Sequence, residues 1–125
     1  MSKRVVLFQI DYPGSVISVN HYKGRGYGGR EYVKPETKDF KTTIGWQIKQ
    51  HHIEEWQTPI SVTCSGCFKD ERSAPDLSNL SKVILDAIQE VTGTNDKHMR
   101  WHDGDRRIDK TVIPFLQITI QEGER

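Results

Sequence analysis

The sequence predicts an α+β fold: a single domain in the order β-α-β-α-β-β, with two helices packed on a small mixed sheet. Three observations carry this. Residues 60–65 and 115–121 alternate apolar with polar, the period of a half-buried strand. Residues 35–56 and 76–91 instead repeat their apolar positions at helical spacing. The chain has 125 residues, 34% of them apolar and 28% charged, which suits one modest core. A domain this small stands to gain from dimerisation.

Taken in order, residues 4–10 read as a first strand, rich in Val, Leu, Phe and Ile. Asp11-Tyr12-Pro13-Gly14 closes it with a turn. Residues 17–34 form a polar loop with Gly24, Gly26, Gly28 and Gly29. Lys23, Arg25, Arg30 and Lys34 stand there against one acid, Glu31, with Tyr22, Tyr27 and Tyr32 between them. No helix opens directly from Gly24-Arg25-Gly26, so it is no dinucleotide fingerprint. Such a loop suits a phosphate backbone or an unpaired base, and equally an ordinary surface loop.

Pro35 and Glu36 mark a helix start. Phe40, Ile44, Ile48, His52 and Trp56 recur every four residues and predict a helix to about Trp56. His51 and His52 are neighbours that point apart on a helix, without a partner at i+4, so they read as surface histidines rather than ligands. Thr58-Pro59 breaks the chain before the strand at 60. Cys64 and Cys67 lack the second ligand pair that zinc needs. On one strand they face opposite ways, which predicts free thiols. A charged loop over residues 68–74 leads to the second helix.

That helix opens at Pro75 and Asp76, an N-cap residue whose charge suits a helix N-terminus. Leu77, Leu80, Ile84, Ala87, Ile88 and Val91 make one apolar stripe. Ser78, Lys82 and Asp86 follow at i, i+4 and i+8 on the other side. A solvated face with a Lys–Asp pair is one reading of that row. The other takes in Asp96 downstream, at the start of a strand over residues 97–102. Two aspartates from separate elements converging beside a lysine would suit a divalent metal and phosphodiester chemistry. Asp103-Gly104 then predicts a hairpin, and Pro114 argues against an uninterrupted strand from Arg106 onward.

Asp76-Leu77-Ser78-Asn79-Leu80-Ser81-Lys82, followed by Leu85-Asp86-Ala87-Ile88, resembles the signature of the RusA-family Holliday-junction resolvases. That signature runs Asp-Leu-Asp-Asn-Leu-x-Lys, then Asp-Ala-Leu, then an Asp-Asp pair before an apolar strand. Asn95-Asp96 falls where the pair is expected. Ser18-Val19-Asn20-His21-Tyr22 resembles the family's loop after the first strand, and residues 32–40 its entry to the first helix. The resemblance covers most of the chain, as one domain over residues 1–125. Two positions depart from it: Ser78 replaces an aspartate, and Asn95 the first member of the pair.

The resemblance implies a metal-dependent endodeoxyribonuclease that cleaves four-way junctions in DNA recombination and repair, acting as a homodimer. The expected cofactor is Mg²⁺, with Mn²⁺ as a substitute. Asp76, Lys82 and Asp96 are the expected catalytic residues, with Asp76 and Asp96 as metal ligands and Asp86 either a third ligand or the partner that orients Lys82. Asn20, Tyr22, Lys23, Arg25, Arg30 and Lys34 are the expected DNA contacts. The net charge of +1 offers no global argument for nucleic acid, so that argument is local. Besides the glycine-rich loop, Lys97, Arg100, Arg106, Arg107 and Lys110 form a second basic group, mixed with Asp103, Asp105 and Asp109. No apolar run approaches the roughly 18 residues of a membrane span. Nothing at residues 1–8 reads as a leader peptide, so the expected location is the cytoplasm. A branched-DNA-binding module with weak or lost nuclease activity is the alternative, motivated by Ser78 and Asn95. A plain interaction domain is the third reading.

Overall fold

A computed structural model of the chain describes residues 3–18, 23–25 and 31–123. Strands β1 (Val5–Asp11), β4 (Ile60–Phe68), β5 (Met99–Ile108) and β6 (Phe115–Gln121) form one mixed sheet in the order β1-β6-β4-β5. β6 lies antiparallel to both β1 and β4, while β4 and β5 run parallel. Two short strands, β2 (Lys23–Arg25) and β3 (Glu31–Val33), pair as a separate ribbon within the expected loop. Helices α1 (Pro35–Ile48) and α2 (Ser81–Thr92) cover one sheet face.

The alternation of the strands decides which face. Val6, Phe8 and Ile10 of β1, Ile60, Val62 and Cys64 of β4, and Leu116, Ile118 and Ile120 of β6 all enter one core with the helices. Val5 and Leu7 point the other way and are exposed. From the helices come Phe40, Ile44 and Ile48, and Val83, Ile84, Ala87 and Ile88. The expected α+β class and layering therefore hold.

Three local expectations are corrected. α1 stops at Ile48, and 3-10 turns at Lys49–His51 and Ile53–Glu55 flank His52, whose φ of 50° is left-handed. The reason is geometric. A four-residue repeat advances about 40° per step around a helix, so a continued helix would have carried Trp56 off the core face. The break instead lets Ile53 and Trp56 return to the core.

Asp103-Gly104 makes no hairpin. β5 continues to Ile108, and its register against β4 shifts where Cys64 faces Asp103 and Gly66 faces Arg106. The irregularity brings the Asp105 backbone N–H to the Ser65 hydroxyl at 3.0 Å. A Cβ at Gly104 would run into the same hydroxyl, so the glycine serves close approach rather than a turn. The true reversal is at residues 109–114, where the Asp109 carboxylate accepts from Thr111 N and Oγ1 at 2.9 and 2.6 Å. That places the interruption beside Pro114, as its lack of an N–H suggests.

Val91 also leaves the expected stripe. It is 38% exposed at the end of α2, against Gly45 of α1, and Val83 is buried in the core instead. Cys64 and Cys67 are free and buried. Burial pushes the Cys64 thiol up to about 12, with Asp103 adding to the shift, so it stays protonated.

Candidate active site and nucleic-acid surface

The loop after β4 delivers Asp76 in extended backbone, ahead of a 3-10 turn at Leu77–Leu80 that leads into α2. Leu77 and Leu80 are buried, so the turn is anchored by apolar contact. The Asp76 carbonyl accepts from Asn79 N at 3.0 Å, but its carboxylate makes no capping bond. Asp76 therefore occupies the cap position with its charged group exposed. Ser78 is also exposed, one residue past Leu77.

On the first turns of α2, Lys82 Nζ lies 3.5 Å from Asp86 Oδ1, with the side chains 50% and 27% exposed. This pair is the i, i+4 contact expected of a solvated face. Asp86 thus points Lys82 along the helix surface.

A residue from β5 holds this end of the site together. Arg106 donates from Nε to the Pro75 carbonyl at 2.9 Å and from Nη2 to the Ala74 carbonyl at 3.1 Å. Its Nη1 meets Glu71 Oε2 at 2.9 Å. One guanidinium thus fixes the loop immediately before Asp76, using the fork geometry that lysine lacks. Nearby on the same strand, Trp101 Nε1 donates to Asp103 Oδ1 at 2.7 Å. In the sequence Arg106 belongs only to a mixed basic group, and Asp103 to that group and to an expected turn. Neither role has a local signal, since the Arg106 contacts span 31 to 35 positions of chain.

Asp96 lies elsewhere. It begins a 3-10 turn at Asp96–His98, capped by Asn95, whose Oδ1 accepts from Lys97 N at 3.0 Å. The neutral amide at position 95 has that structural use. Asp96 is exposed just before Met99, where β5 starts. Asp76 precedes α2 and Asp96 follows it, and α2 spans about 18 Å. From Met99 to Arg106, which grips the Asp76 loop, β5 runs on the order of 20 Å. The two aspartates therefore stand at opposite ends of the β4-α2-β5 unit and do not converge within one chain. No group of three His, Cys, Asp or Glu among the described residues is placed to hold a metal ion. Lys82 and Asp86 meet on α2, Asp76 stands ahead of the turn that leads into it, and Asp96 lies beyond its other end.

Of the expected DNA contacts, Lys23 and Arg25 lie on β2, facing Val33 and Glu31 across the ribbon. Lys34 is half-buried at the entry to α1, where its carbonyl accepts from Thr37 N and Lys38 N, both at 3.0 Å. Asn20, Tyr22 and Arg30 lie outside the described residues.

A family model described as Endodeoxyribonuclease RusA matches residues 13–121. The chain belongs to this family. The match runs from the turn after β1 to the end of β6, so it takes in Asp76, Lys82 and Asp96 together with the scaffold around them. RusA proteins are endodeoxyribonucleases that act on branched DNA junctions. No curated protein matches the chain. Among the described residues, no helix is long and apolar enough to cross a membrane.

Proposed function

We propose that this protein is a Holliday-junction endonuclease that cuts branched DNA as a homodimer with a divalent metal, Mg²⁺ or in its place Mn²⁺. The observation that carries the reading is the RusA match over residues 13–121, which contains the acid–lysine row of Asp76, Lys82 and Asp86. The free thiols Cys64 and Cys67 fit a reducing compartment, in keeping with a cytoplasmic enzyme.

Among the described residues of one chain, no three acids, histidines or cysteines gather to hold a metal. The separation of Asp76 from Asp96 supports a specific form of the dimer, in which Asp76 of one copy faces Asp96 of the other. A two-fold pair has two such juxtapositions, and a four-way junction of near two-fold symmetry presents two strands for cleavage. When bound, a hard divalent cation supplies charge neutralisation at phosphorus and an acidic water. Lys82, oriented by Asp86, offers its ammonium to a non-bridging phosphate oxygen. Arg106 acts through the loop it holds, keeping Asp76 in place. The basic side chains of Lys23, Arg25, Arg30 and Lys34, with Asn20 and Tyr22, contact the DNA strands.

The test is nicking of a synthetic four-way junction by the purified chain, with and without Mg²⁺. Metal-dependent, paired nicks are expected. Tight junction binding without cleavage would favour the second reading, a binding module. Ser78 supports that alternative, since it offers only a neutral hydroxyl where the family signature has a carboxylate.

A further inference from the structure

Along α1 a row of lysines leads away from the β2–β3 ribbon. Lys34, Lys38, Lys41 and Gly45 stay within a narrow arc of about 60° at helical spacing, and Lys49 continues the row in helical backbone at the C-cap. The acids of α1, Glu36 and Asp39, fall on another side. The row borders a groove of about 600 Å³ between α1 and α2, floored by Gly45 and Val91. Trp46 stands at its edge, 72% exposed, with the Lys49 ammonium 5.6 Å from its ring centroid.

Charge in the groove is one-sided. Its one acid, Glu90, is taken by an ion pair with Lys41, which is only 12% exposed. Lys38 and Lys49 have no acid partner among the described residues. The indole enters no core, and apart from the Lys49 ammonium most of its ring remains open.

We propose that this groove binds a DNA strand, with Trp46 stacking on an unpaired base and Lys38 and Lys49 contacting the flanking phosphates. The proposal extends the nuclease reading to a contact away from Asp76 and rests on it for the choice of DNA as occupant. Charge complementarity favours a polyanion. From Lys34 to Lys49 the row covers on the order of 20 Å, and it begins directly after β3. An aromatic platform beside a basic track holds single strands without regard to sequence.

The experiment uses the full chain, a dT oligonucleotide and a synthetic four-way junction, read by tryptophan fluorescence over a range of salt. Trp56 is buried and Trp101 partly so, which leaves Trp46 as the reporter. The dT oligonucleotide should quench the wild-type emission. Trp46→Ala should lose that quench and bind it about tenfold more weakly, while Trp46→Phe keeps most of the affinity. The double variant Lys38→Ala, Lys49→Ala should reduce the slope of log affinity against log salt by about 1.4. Unchanged affinity and slope in these variants would overturn the proposal. So would a shift of Trp46→Ala from dimer to monomer with dT binding intact, or binding of a poly-glutamate peptide in place of dT. Junction cleavage by wild type separates the two claims. No cleavage with the Trp46 quench present sinks the nuclease reading alone, and cleavage with Trp46→Ala binding like wild type sinks the groove alone.

Discussion

The two ends of the β4-α2-β5 unit are built differently. At the Asp76 end, Arg106 reaches from β5 to grip two carbonyls and Glu71, so the loop before the acid is tied to the sheet. At the other end the sheet has its own clamp, but the clamp does not involve Asp96. Glu122 Oε2 meets Arg4 Nη2 at 2.7 Å and accepts from Gln57 N at 2.9 Å, and Arg4 lies 5.7 Å from the Trp56 ring centroid. Asp96 rests in a local turn capped by its neighbour Asn95. One acid is thus positioned by long-range contacts and the other by its own segment. The difference teaches that position along a helix signature is not proximity. The acids flanking α2 belong to opposite ends, so the proposed site that uses both would draw on two copies.

The largest expected effect comes from the acids themselves. Asp76→Asn and Asp96→Asn should each lower cleavage on the order of a thousandfold, because a lost ligand forfeits several kcal/mol of charge stabilisation. Junction binding should stay intact or tighten, since a negative charge facing phosphate is removed. Rates on a labelled junction, set beside affinities in Ca²⁺, check both parts. Near-normal cleavage by either variant would break the pairing of the two ends.

Arg106→Ala should come next. It frees the loop before Asp76 and removes three contacts, so cleavage should fall about tenfold through misplacement. Stability should fall by about 1–2 kcal/mol in urea unfolding. An equal loss of stability from Lys97→Ala would erase the contrast between the ends.

Ser78→Asp sharpens the comparison from the other side. A carboxylate there would add a charged oxygen at the Asp76 end and lower the Mg²⁺ concentration needed for half-maximal rate by a few-fold, about 1 kcal/mol or less. Like-charge repulsion opposes this. A higher metal requirement with folding unchanged would mean that the site is already complete without position 78.

The smallest effect concerns pH at the opposite end. The hydrogen bond from Arg4, followed by that from Gln57 N, holds the Glu122 carboxyl down at about 2. A carboxylate depressed on folding contributes stability above its unfolded value, and loses it as pH falls toward the folded one. Wild type should therefore melt above Glu122→Gln at neutral pH. The gap should close between about pH 4.5 and pH 2. A gap that stays constant over that window would show that the clamp is not ionic.

Much of the fold was legible in the sequence because local periodicity carries it. Residues 115–121 alternate cleanly and form β6 over that range. The apolar stripe expected of the second helix is buried from Leu77, in the turn before α2, to Ile88. What escaped was set by distant partners. Asp103-Gly104 has the composition of a turn, yet β4 lies alongside and extends β5 through it, with Ser65 taking up the irregularity. The α1 repeat ran on in the sequence but not in space, because every fourth residue drifts around the helix. The candidate acids were readable one by one. Their separation was not, because it depends on β4 and β5 running parallel with α2 between them. Arg106, the residue that holds the loop before Asp76, gave no local sign at all.

The central claim is that a working site takes Asp76 from one copy and Asp96 from the other. Mixing Asp76→Asn protein with Asp96→Asn protein, after mild unfolding and refolding to exchange subunits, tests it directly. On this account each variant alone forms dimers with both sites broken. In the mixed dimer one juxtaposition carries both substitutions and the other carries both native acids. The account predicts that the mixture regains nicking of one junction strand while each parent stays inactive. If subunits exchange and the mixture remains as inactive as its parents, the two acids do not meet across the dimer, and the account is contradicted.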